Sequence, residues 1–226
     1  MKISQLKIQV FQLAEKVFGE EYIKRKYRKA GGRLFKRYKV IFIHIPKAGG
    51  TSVASQLYGK RAGHSTAAQF QDVLGKEAFN ALFSFSVVRN PYDRIVSAYH
   101  FARQGGGSEG GIRHLPVYKS ETFASFERFV KDWLIQQDPH TTELVFRPQY
   151  LFVCDEQENI MLDWVGKIEN TAEIEAIISQ KFSRKISIEK RNTSKRKGFQ
   201  EYYTPELKEL IYQYYQRDFD LFGYDR

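Results

Sequence analysis

A lysine, two glycines and two hydroxyl residues stand together in segment 40–52, which reads VIFIHIPKAGGTS. The apolar, β-branched first part is typical of a strand, and a helical pattern begins after it. The turn between them predicts an anion site, because backbone N–H groups and the positive end of a helix converge there. An ordinary βα turn with a Ser/Thr cap is the plainer alternative. The residues of the predicted site are Lys47, Ala48, Gly49, Gly50, Thr51 and Ser52.

The order of residues in this turn differs from that of nucleotide P-loops. The P-loop pattern G-x-x-x-x-G-K-[ST] has its lysine directly before the magnesium-binding hydroxyl residue, whereas Lys47 precedes both glycines. The run H-I-P-K-A-G-G-T-S resembles the 5′-phosphosulfate loop of sulfotransferases that use 3′-phosphoadenosine 5′-phosphosulfate (PAPS). The resemblance implies that residues 47–52 bind PAPS, that Lys47 is also catalytic, and that no metal is required.

A second strand-to-helix turn supports the same interpretation. Segment 82–89 reads LFSFSVVR, and Asn90-Pro91 follows as a helix cap and a first helical residue. Arg89 therefore ends a strand, and Ser97 lies about two turns into the next helix. R-N-P-Y-D-R-x-x-S-A-Y resembles the 3′-phosphate site of sulfotransferases, which implies that Arg89 and Ser97 bind that phosphate. A structural arginine and a solvated serine are the alternative.

Two histidines are candidates for the base that takes the proton of an acceptor hydroxyl. His64, in G-H-S-T-A, resembles the catalytic histidine of heparan sulfate 2-O-sulfotransferase-like enzymes, and we favour it; a solvated loop histidine is the alternative. His140 is the second candidate. It precedes Arg147-Pro148-Gln149, which resembles an acceptor-binding segment, so His140, Arg147 and Gln149 are predicted to bind substrate.

The other candidates for the base are weaker. His44 lies within the first strand and is expected to be packed, while His100 and His114 border a glycine-rich loop. A carboxylate base stays open, since some sulfotransferases use glutamate. The sequence contains no metal-ligand cluster.

Two loops complete the predicted site. Arg196-Lys197-Gly198 resembles the loop that reaches the 3′-phosphate in cytosolic sulfotransferases, although a solvated surface loop is equally compatible with its composition. The loop 105–111 contains five glycines and is predicted to act as a mobile lid over the site.

Charge divides the chain into an arm, 1–39, and a predicted PAPS-dependent sulfotransferase domain, 40–226. Residues 1–40 hold twelve Lys/Arg and three acids, a net +9, while the remainder holds 24 against 23, a net +1. Apolar residues at helical spacing precede the cations, so the arm predicts a basic helix. Its partner could be an anionic membrane or an anionic glycan, with nucleic acid disfavoured, or the helix could simply be solvated.

Alternating strand and helix patterns predict the fold class: α/β, with a P-loop-like parallel sheet flanked by helices. Besides the two strands above, residues 150–154 and 164–168 are predicted strands. Phe123, Phe126, Phe129, Val130 and Trp133 have the spacing of a buried helix face. Residues 67–74 and a C-terminal segment beginning near Leu207 are predicted helices.

The sequence thus predicts a PAPS-dependent sulfotransferase that sulfates a hydroxyl group, with a carbohydrate as the favoured acceptor. Protein tyrosine and lipid acceptors stay open. A P-loop ATPase or small-molecule kinase is the alternative enzyme, supported by an apolar run that ends at Asp155. An anionic-polymer binding protein is the non-enzymatic alternative. A single cysteine is compatible with a reducing cytosol, and no apolar run is long enough to span a membrane. The chain resembles the catalytic part of animal carbohydrate sulfotransferases without their membrane anchor, which implies a soluble, bacterial, cytoplasmic protein that could contact the inner membrane through its arm.

Overall fold

The computed structural model describes residues 20–59, 62–106, 116–183, 185–188 and 198–226. Within these ranges the strands are β1 Val40–Ile43, β2 Phe83–Val88 and β3 Trp164–Lys167. The α-helices are α1 Glu20–Tyr38, α2 Gly50–Tyr58, α3 Ala67–Leu74, α4 Lys76–Asn80, α5 Pro91–Arg103, α6 Phe126–Arg128, α7 Tyr150–Val153, α8 Thr171–Phe182 and α9 Pro205–Phe222. A π-helix, Phe129–Trp133, and 3₁₀ turns at Pro116–Lys119, Glu121–Phe123, Leu134–Gln136 and Phe199–Tyr202 complete the regular structure.

The three strands form one parallel sheet in the order β1-β2-β3. Ile43 of β1 is in register with Ser86 of β2, and Val88 of β2 with Lys167 of β3. Every residue of β1 is buried, as expected for a strand covered by helices on both faces. The sheet confirms the predicted α/β fold, and it places the carboxyl ends of β1 and β2 next to each other.

Several helices begin at residues whose side chains cap them. Asn90 accepts a hydrogen bond from the Tyr92 backbone N–H at the start of α5, and Pro91 occupies the first helical position. Thr66 and Gln69 form a capping box at the start of α3. Helix α9 confirms the predicted C-terminal helix.

The last two turns of helix α1 belong to the core of the domain. Phe35 is 1% exposed, and its ring lies 4.6 Å from that of Phe70 on α3. A Cβ at Gly31 would lie 2.8 Å from the Phe70 ring, so this glycine allows the close approach of α1 to α3. The domain boundary drawn at residue 39 thus falls at the end of a helix that is already packed. Among the described residues, no helix has the length and apolarity needed to cross a membrane.

A second core, rich in aromatic residues, lies between α5, α9 and segment 116–146. Phe123, Phe129 and Val130 are at most 1% exposed, and Phe126 is 6% exposed. The Trp133 ring packs at 5.2 Å from that of Phe123. These contacts confirm that the helically spaced aromatic residues of this region face a core.

The strand predicted over residues 150–154 is wrong. Tyr150–Val153 is a single helical turn, α7, and Cys154 forms only an isolated bridge with Ile160. A short apolar run fits a buried helical turn as well as a strand, so its pattern alone could not decide. Asp155 lies in an exposed turn, where its carboxylate accepts the N–H groups of Gln157 and Asn159. The supposed strand ending in a magnesium-binding acid, on which the ATPase alternative relied, is therefore absent.

Candidate active site

The loop after β1 has the backbone of an anion-binding turn. Lys47 and Gly49 have positive φ values of 63° and 83°, and α2 begins directly afterwards at Gly50. Gly49 is the N-cap residue and carries no side chain that could cap the N–H groups of the first turn. Such a turn directs backbone N–H groups and the positive end of the helix dipole to one side.

Both glycines of this loop are required by their neighbours. A Cβ at Gly50 would lie 2.3 Å from Cδ2 of His44 and 3.0 Å from the Phe42 ring. A Cβ at Gly49 would lie 2.7 Å from the Ile168 side chain, which follows β3, and φ of 83° would strain a side chain there in any case. The loop is therefore enclosed by the ends of β1 and β3, and a larger residue would push it outward.

Arg89 joins the turn after β2 to the loop after β1. Its Nη1 donates to the Lys47 carbonyl over 3.3 Å. Its Nε donates to Asp93 over 2.7 Å, and Nη2 lies 2.5 Å from the same carboxylate oxygen. The carboxylate orients the guanidinium, whose planar fork has five N–H donors and so retains capacity for a further anion beside these contacts. The two turns predicted to bind the two phosphate groups of PAPS thus lie within hydrogen-bonding distance of each other.

Helix α5 supplies a wall on the other side of Lys47. The Lys47 ammonium lies 4.1 Å from the centroid of the Phe101 ring, a cation–π contact. Ser97, one helical turn before Phe101, is half-buried on the same helix. Phe101 was not recognised from the sequence, although its spacing of four residues from Ser97 places both on one face.

His64 is fixed at the carboxyl end of β1. Its Nδ1 lies 2.8 Å from the His44 carbonyl oxygen, and because a carbonyl only accepts, Nδ1 must carry the proton. In the neutral ring, Nε2 then has the lone pair that a base needs. The two histidine rings pack at 4.3 Å, and His44 itself donates from Nδ1 to the Ala62 carbonyl over 3.0 Å. As expected, His44 is packed, being 4% exposed.

The three residues predicted to bind the acceptor occupy different environments. His140 is exposed in a turn where Asp138 accepts its backbone N–H. Arg147 is half-buried and donates to the carbonyl of Thr142 over 2.7 Å; burial lowers the pKa of its guanidinium. Gln149 is 0% exposed, and its amide is bonded to the backbone of Arg89; its contact with the acceptor stays a prediction.

Part of the predicted site lies outside the described residues. This applies to Arg196, Lys197 and most of the glycine-rich loop 105–111. Gly198 is described and is exposed; its N–H donates to Glu201 over 3.1 Å at the start of a 3₁₀ turn. The roles of these residues at a phosphate stay predictions.

Two buried charged residues near the site were not anticipated from the sequence. Arg94, 1% exposed, donates to the carbonyl of Pro46 just before Lys47. Asp218 on α9 is 0% exposed, and burial raises the pKa of its carboxyl, an effect that the positive charge of Arg94 opposes. Arg94 was visible as the second arginine of R-N-P-Y-D-R, but only the fold shows that it points inward. Asp218 had no sequence signal.

The donor set of the site suits an anionic ligand. Lys47, Arg89 and the first-turn N–H groups of α2 all offer donors or positive charge at the carboxyl edge of the sheet. In the described ranges, no group of three or more His, Cys, Asp or Glu side chains could hold a metal ion. These features fit the phosphate and sulfate groups of PAPS.

Comparison with known proteins identifies the family. The model of the sulfotransferase family matches residues 33–225, which include all the site residues discussed above. Neither the curated proteins nor the solved structures gave a significant match. Because the family match spans far more than half of the chain, the protein belongs to the sulfotransferase family.

Proposed function

We propose that the protein transfers the sulfuryl group of PAPS to a hydroxyl group of an acceptor. The observation that supports this most is the hydrogen bond of Arg89 to the Lys47 carbonyl. It brings two βα turns together, each with the residue types of a phosphate site, one for the 5′-phosphosulfate and one for the 3′-phosphate. A ligand with a single phosphate would engage only one of the two turns.

Within this proposal, Lys47 and the start of α2 carry the electrostatic part of catalysis. Bound PAPS supplies the sulfuryl group and leaves a phosphate whose charge grows during transfer. The N–H groups of Gly50, Thr51 and Ser52 are held in the first turn of α2, ready to donate to that charge. The Lys47 ammonium lies over Phe101 and can reach the same region by rotation of its flexible stem. Arg89 holds the 3′-phosphate, and Ser97 adds a hydroxyl donor.

His64 is the proposed general base. Its tautomer is set by the His44 carbonyl, so the neutral ring accepts a proton at Nε2. The bond to His44 also fixes the ring at the end of β1, next to the loop that begins at Ile45. By taking the proton of the acceptor hydroxyl, the ring makes its oxygen a stronger nucleophile for in-line attack. His140, exposed and remote from β1 in the sequence, is the alternative base.

The acceptor is proposed to be a carbohydrate. The support is the resemblance of the region around His64 to heparan sulfate 2-O-sulfotransferase-like enzymes. Cations of helix α1 could contact an anionic glycan or membrane surface; those whose side chains are described as exposed are Arg25, Lys29, Arg33, Lys36 and Arg37. The proposed setting is the cytoplasm of a bacterium, and the single cysteine of the sequence is compatible with a reducing compartment.

Calorimetry with adenosine 3′,5′-bisphosphate (PAP), the product of transfer, tests the proposal. We expect PAP to bind without magnesium and AMP to bind at least about tenfold more weakly, because AMP lacks the 3′-phosphate that charge-assisted hydrogen bonds would hold. Arg89→Lys should reduce this preference, since lysine loses the planar fork but keeps the charge.

The matched control is Arg128→Lys, which alters an exposed arginine that pairs with Glu121. It should leave the preference for PAP unchanged. Equal affinity of the wild-type protein for PAP and AMP would contradict a 3′-phosphate site. Binding of ATP that requires magnesium, together with ATP hydrolysis, would favour the nucleotide-hydrolysing alternative instead.

A further inference from the structure

A buried segment, Val145–Tyr150, lies against both phosphate-site turns; we refer to it as the bridge. Helix α9 holds its backbone through two side chains. The Tyr215 hydroxyl donates to the carbonyl of Phe146 over 2.6 Å. The Asp218 carboxylate accepts the N–H of Gln149 over 2.8 Å and that of Tyr150 over 2.9 Å. Buried hydrogen bonds at successive residues leave the bridge little freedom to shift.

Arg94 connects one end of the bridge to the loop after β1. Its Nη1 lies 3.3 Å from the Pro46 carbonyl and 3.3 Å from the Val145 carbonyl, and its Nη2 donates to the carbonyl of Arg147. A buried guanidinium loses the hydration it would have in water, so it is tolerated where carbonyl oxygens replace that water. Pro46 directly precedes Lys47, and the position of the Lys47 backbone therefore depends on Arg94.

Gln149 connects the other end of the bridge to the turn after β2. Its Oε1 accepts the Arg89 N–H over 2.9 Å, and its Nε2 donates to the Arg89 carbonyl over 2.8 Å. Both hydrogen bonds are made to one residue, at the point where β2 ends. The amide thus fixes the backbone from which the Arg89 guanidinium extends.

We propose that the bridge sets the distance between the two phosphate-site turns, with Arg94 and Gln149 as its positioning residues. The effect of the bridge on PAPS binding rests on the proposed function, whereas its effect on the spacing of the turns does not. Neither residue is placed to touch the ligand; each acts through a backbone, Arg94 through Pro46 and Gln149 through Arg89. Fixed spacing matters because displacement of a phosphate contact by about 1 Å can cost about 100-fold in rate.

Hydrogen–deuterium exchange of the ligand-free protein tests the bridge without any ligand. The variants are Gln149→Met, which keeps the length of the side chain but removes both hydrogen bonds, and Arg94→Lys. We expect exchange to rise about tenfold or more in both turns, 44–52 and 86–93, in each variant. The informative result is the rise in exchange at the turn that the replaced residue does not contact, which is 44–52 for Gln149→Met and 86–93 for Arg94→Lys. A purely local role would raise exchange only in the contacted turn.

The matched control is Tyr58→Phe. The buried Tyr58 hydroxyl also makes two hydrogen bonds to backbone, with the Phe42 N–H and the Val40 carbonyl, but both partners lie within β1 and neither belongs to a phosphate-site turn. At equal loss of stability, this variant should leave exchange in segment 86–93 unchanged.

The second readout is the ratio of the AMP and PAP dissociation constants. We expect it to fall about tenfold in Gln149→Met and to stay constant in Tyr58→Phe, because only the first displaces Arg89. Two results would refute the proposed role of the bridge. One is increased exchange in only one of the two turns; the other is a ratio of dissociation constants that changes in Gln149→Met and Tyr58→Phe only in proportion to their loss of stability.

The two proposals fail in different ways. A wild-type protein without preference for PAP would refute the proposed function, while the exchange experiment would still decide the role of the bridge. If Arg94→Lys does not fold, Gln149→Met decides alone: increased exchange in segment 44–52 supports the bridge, and unchanged exchange there refutes it.

Discussion

Replacing Gly50 with alanine should disturb the phosphate loop and the proposed base together. The added Cβ would lie 2.3 Å from Cδ2 and 2.9 Å from Nε2 of His44, far inside van der Waals contact. The His44 ring cannot move away cheaply. It packs 5.9 Å from the Phe42 ring and 4.3 Å from the His64 ring, and its Nδ1 is bonded to the Ala62 carbonyl.

The size of the effect follows from two opposing contributions. Inserting a methyl group into a packed site costs about 1–3 kcal/mol. Alanine is better than glycine in a helix by up to about 1 kcal/mol, but Gly50 occupies the first helical position, where this gain is smaller. We expect a net loss of about 1–2 kcal/mol in the free energy of unfolding. For a chain of this size that lowers the melting temperature by about 2–8 °C.

Thermal unfolding measures the loss of stability, and calorimetry with PAP measures the loss of binding. PAP affinity should fall by about tenfold, because α2 must shift away from the ring and carries the first-turn N–H groups with it. Sulfuryl transfer should fall further than binding, since the displaced His44 also displaces the carbonyl that orients His64.

Gly63→Ala is the matched control. A Cβ at Gly63 meets no atom within 4 Å, and the residue does not have a positive φ. The variant should be as stable as the wild type or more stable by up to about 1 kcal/mol, through its effect on the unfolded chain. If Gly50→Ala melts and binds PAP like Gly63→Ala, the contact between the loop and His44 does not restrict the site and the reasoning is refuted.

Three further experiments address the remaining residues of the site and the single cysteine. Lys47→Ala should lower turnover by about 100-fold with little change in melting temperature, because it removes one positioned electrostatic donor. The control Lys76→Ala, at an exposed lysine of α4, should match the wild type, and near-normal turnover of a folded Lys47→Ala protein would exclude Lys47 from the mechanism. His64→Ala should keep PAP binding but lose transfer, because the acceptor hydroxyl then has no group to take its proton; loss of transfer in His140→Ala instead would reverse the roles. Burial raises the pKa of Cys154 to about 11, so the thiol stays protonated at pH 8 and should react with iodoacetamide only in urea; rapid labelling of the native protein at pH 8 would contradict its burial. The contribution of this thiol to the free energy of unfolding is complete below its unfolded-state pKa and is lost as pH rises through about 11.

The sequence determined the parts of the site that are contiguous in the chain. A strand, two glycines and a hydroxyl pair are a local pattern, and the structure realises it as β1, a turn with positive φ at Gly49, and α2. The same holds for Arg89, the Asn90 cap and α5. Hydrogen bonds and φ angles within a few residues decide these elements, so residue types and spacing suffice to predict them.

Local pattern failed where burial had to be known. The apolar run of residues 150–154 lacks the alternation of polar and apolar residues that would distinguish a strand from a buried helical turn. The start of α7 instead involves a distant partner, because the Asp218 carboxylate, 68 residues away, accepts the Tyr150 N–H. Gln149 was predicted to bind the acceptor from the resemblance of Arg147-Pro148-Gln149 to an acceptor-binding segment, and such a resemblance carries no information on burial. Its burial follows from its two hydrogen bonds to Arg89, a partner that lies 60 residues away in the chain.

The tertiary structure alone decided how the separate motifs meet. Parallel pairing of β1 with β2 places Lys47 beside Arg89, and packing of α5 under the loop directs the buried Arg94 to the Pro46 carbonyl. The tautomer of His64 likewise depends on a carbonyl 20 residues away. Charges and hydrogen bonds act through space, so the sequence could name the residues of the site, whereas their mutual orientation depends on contacts that form only when the chain folds.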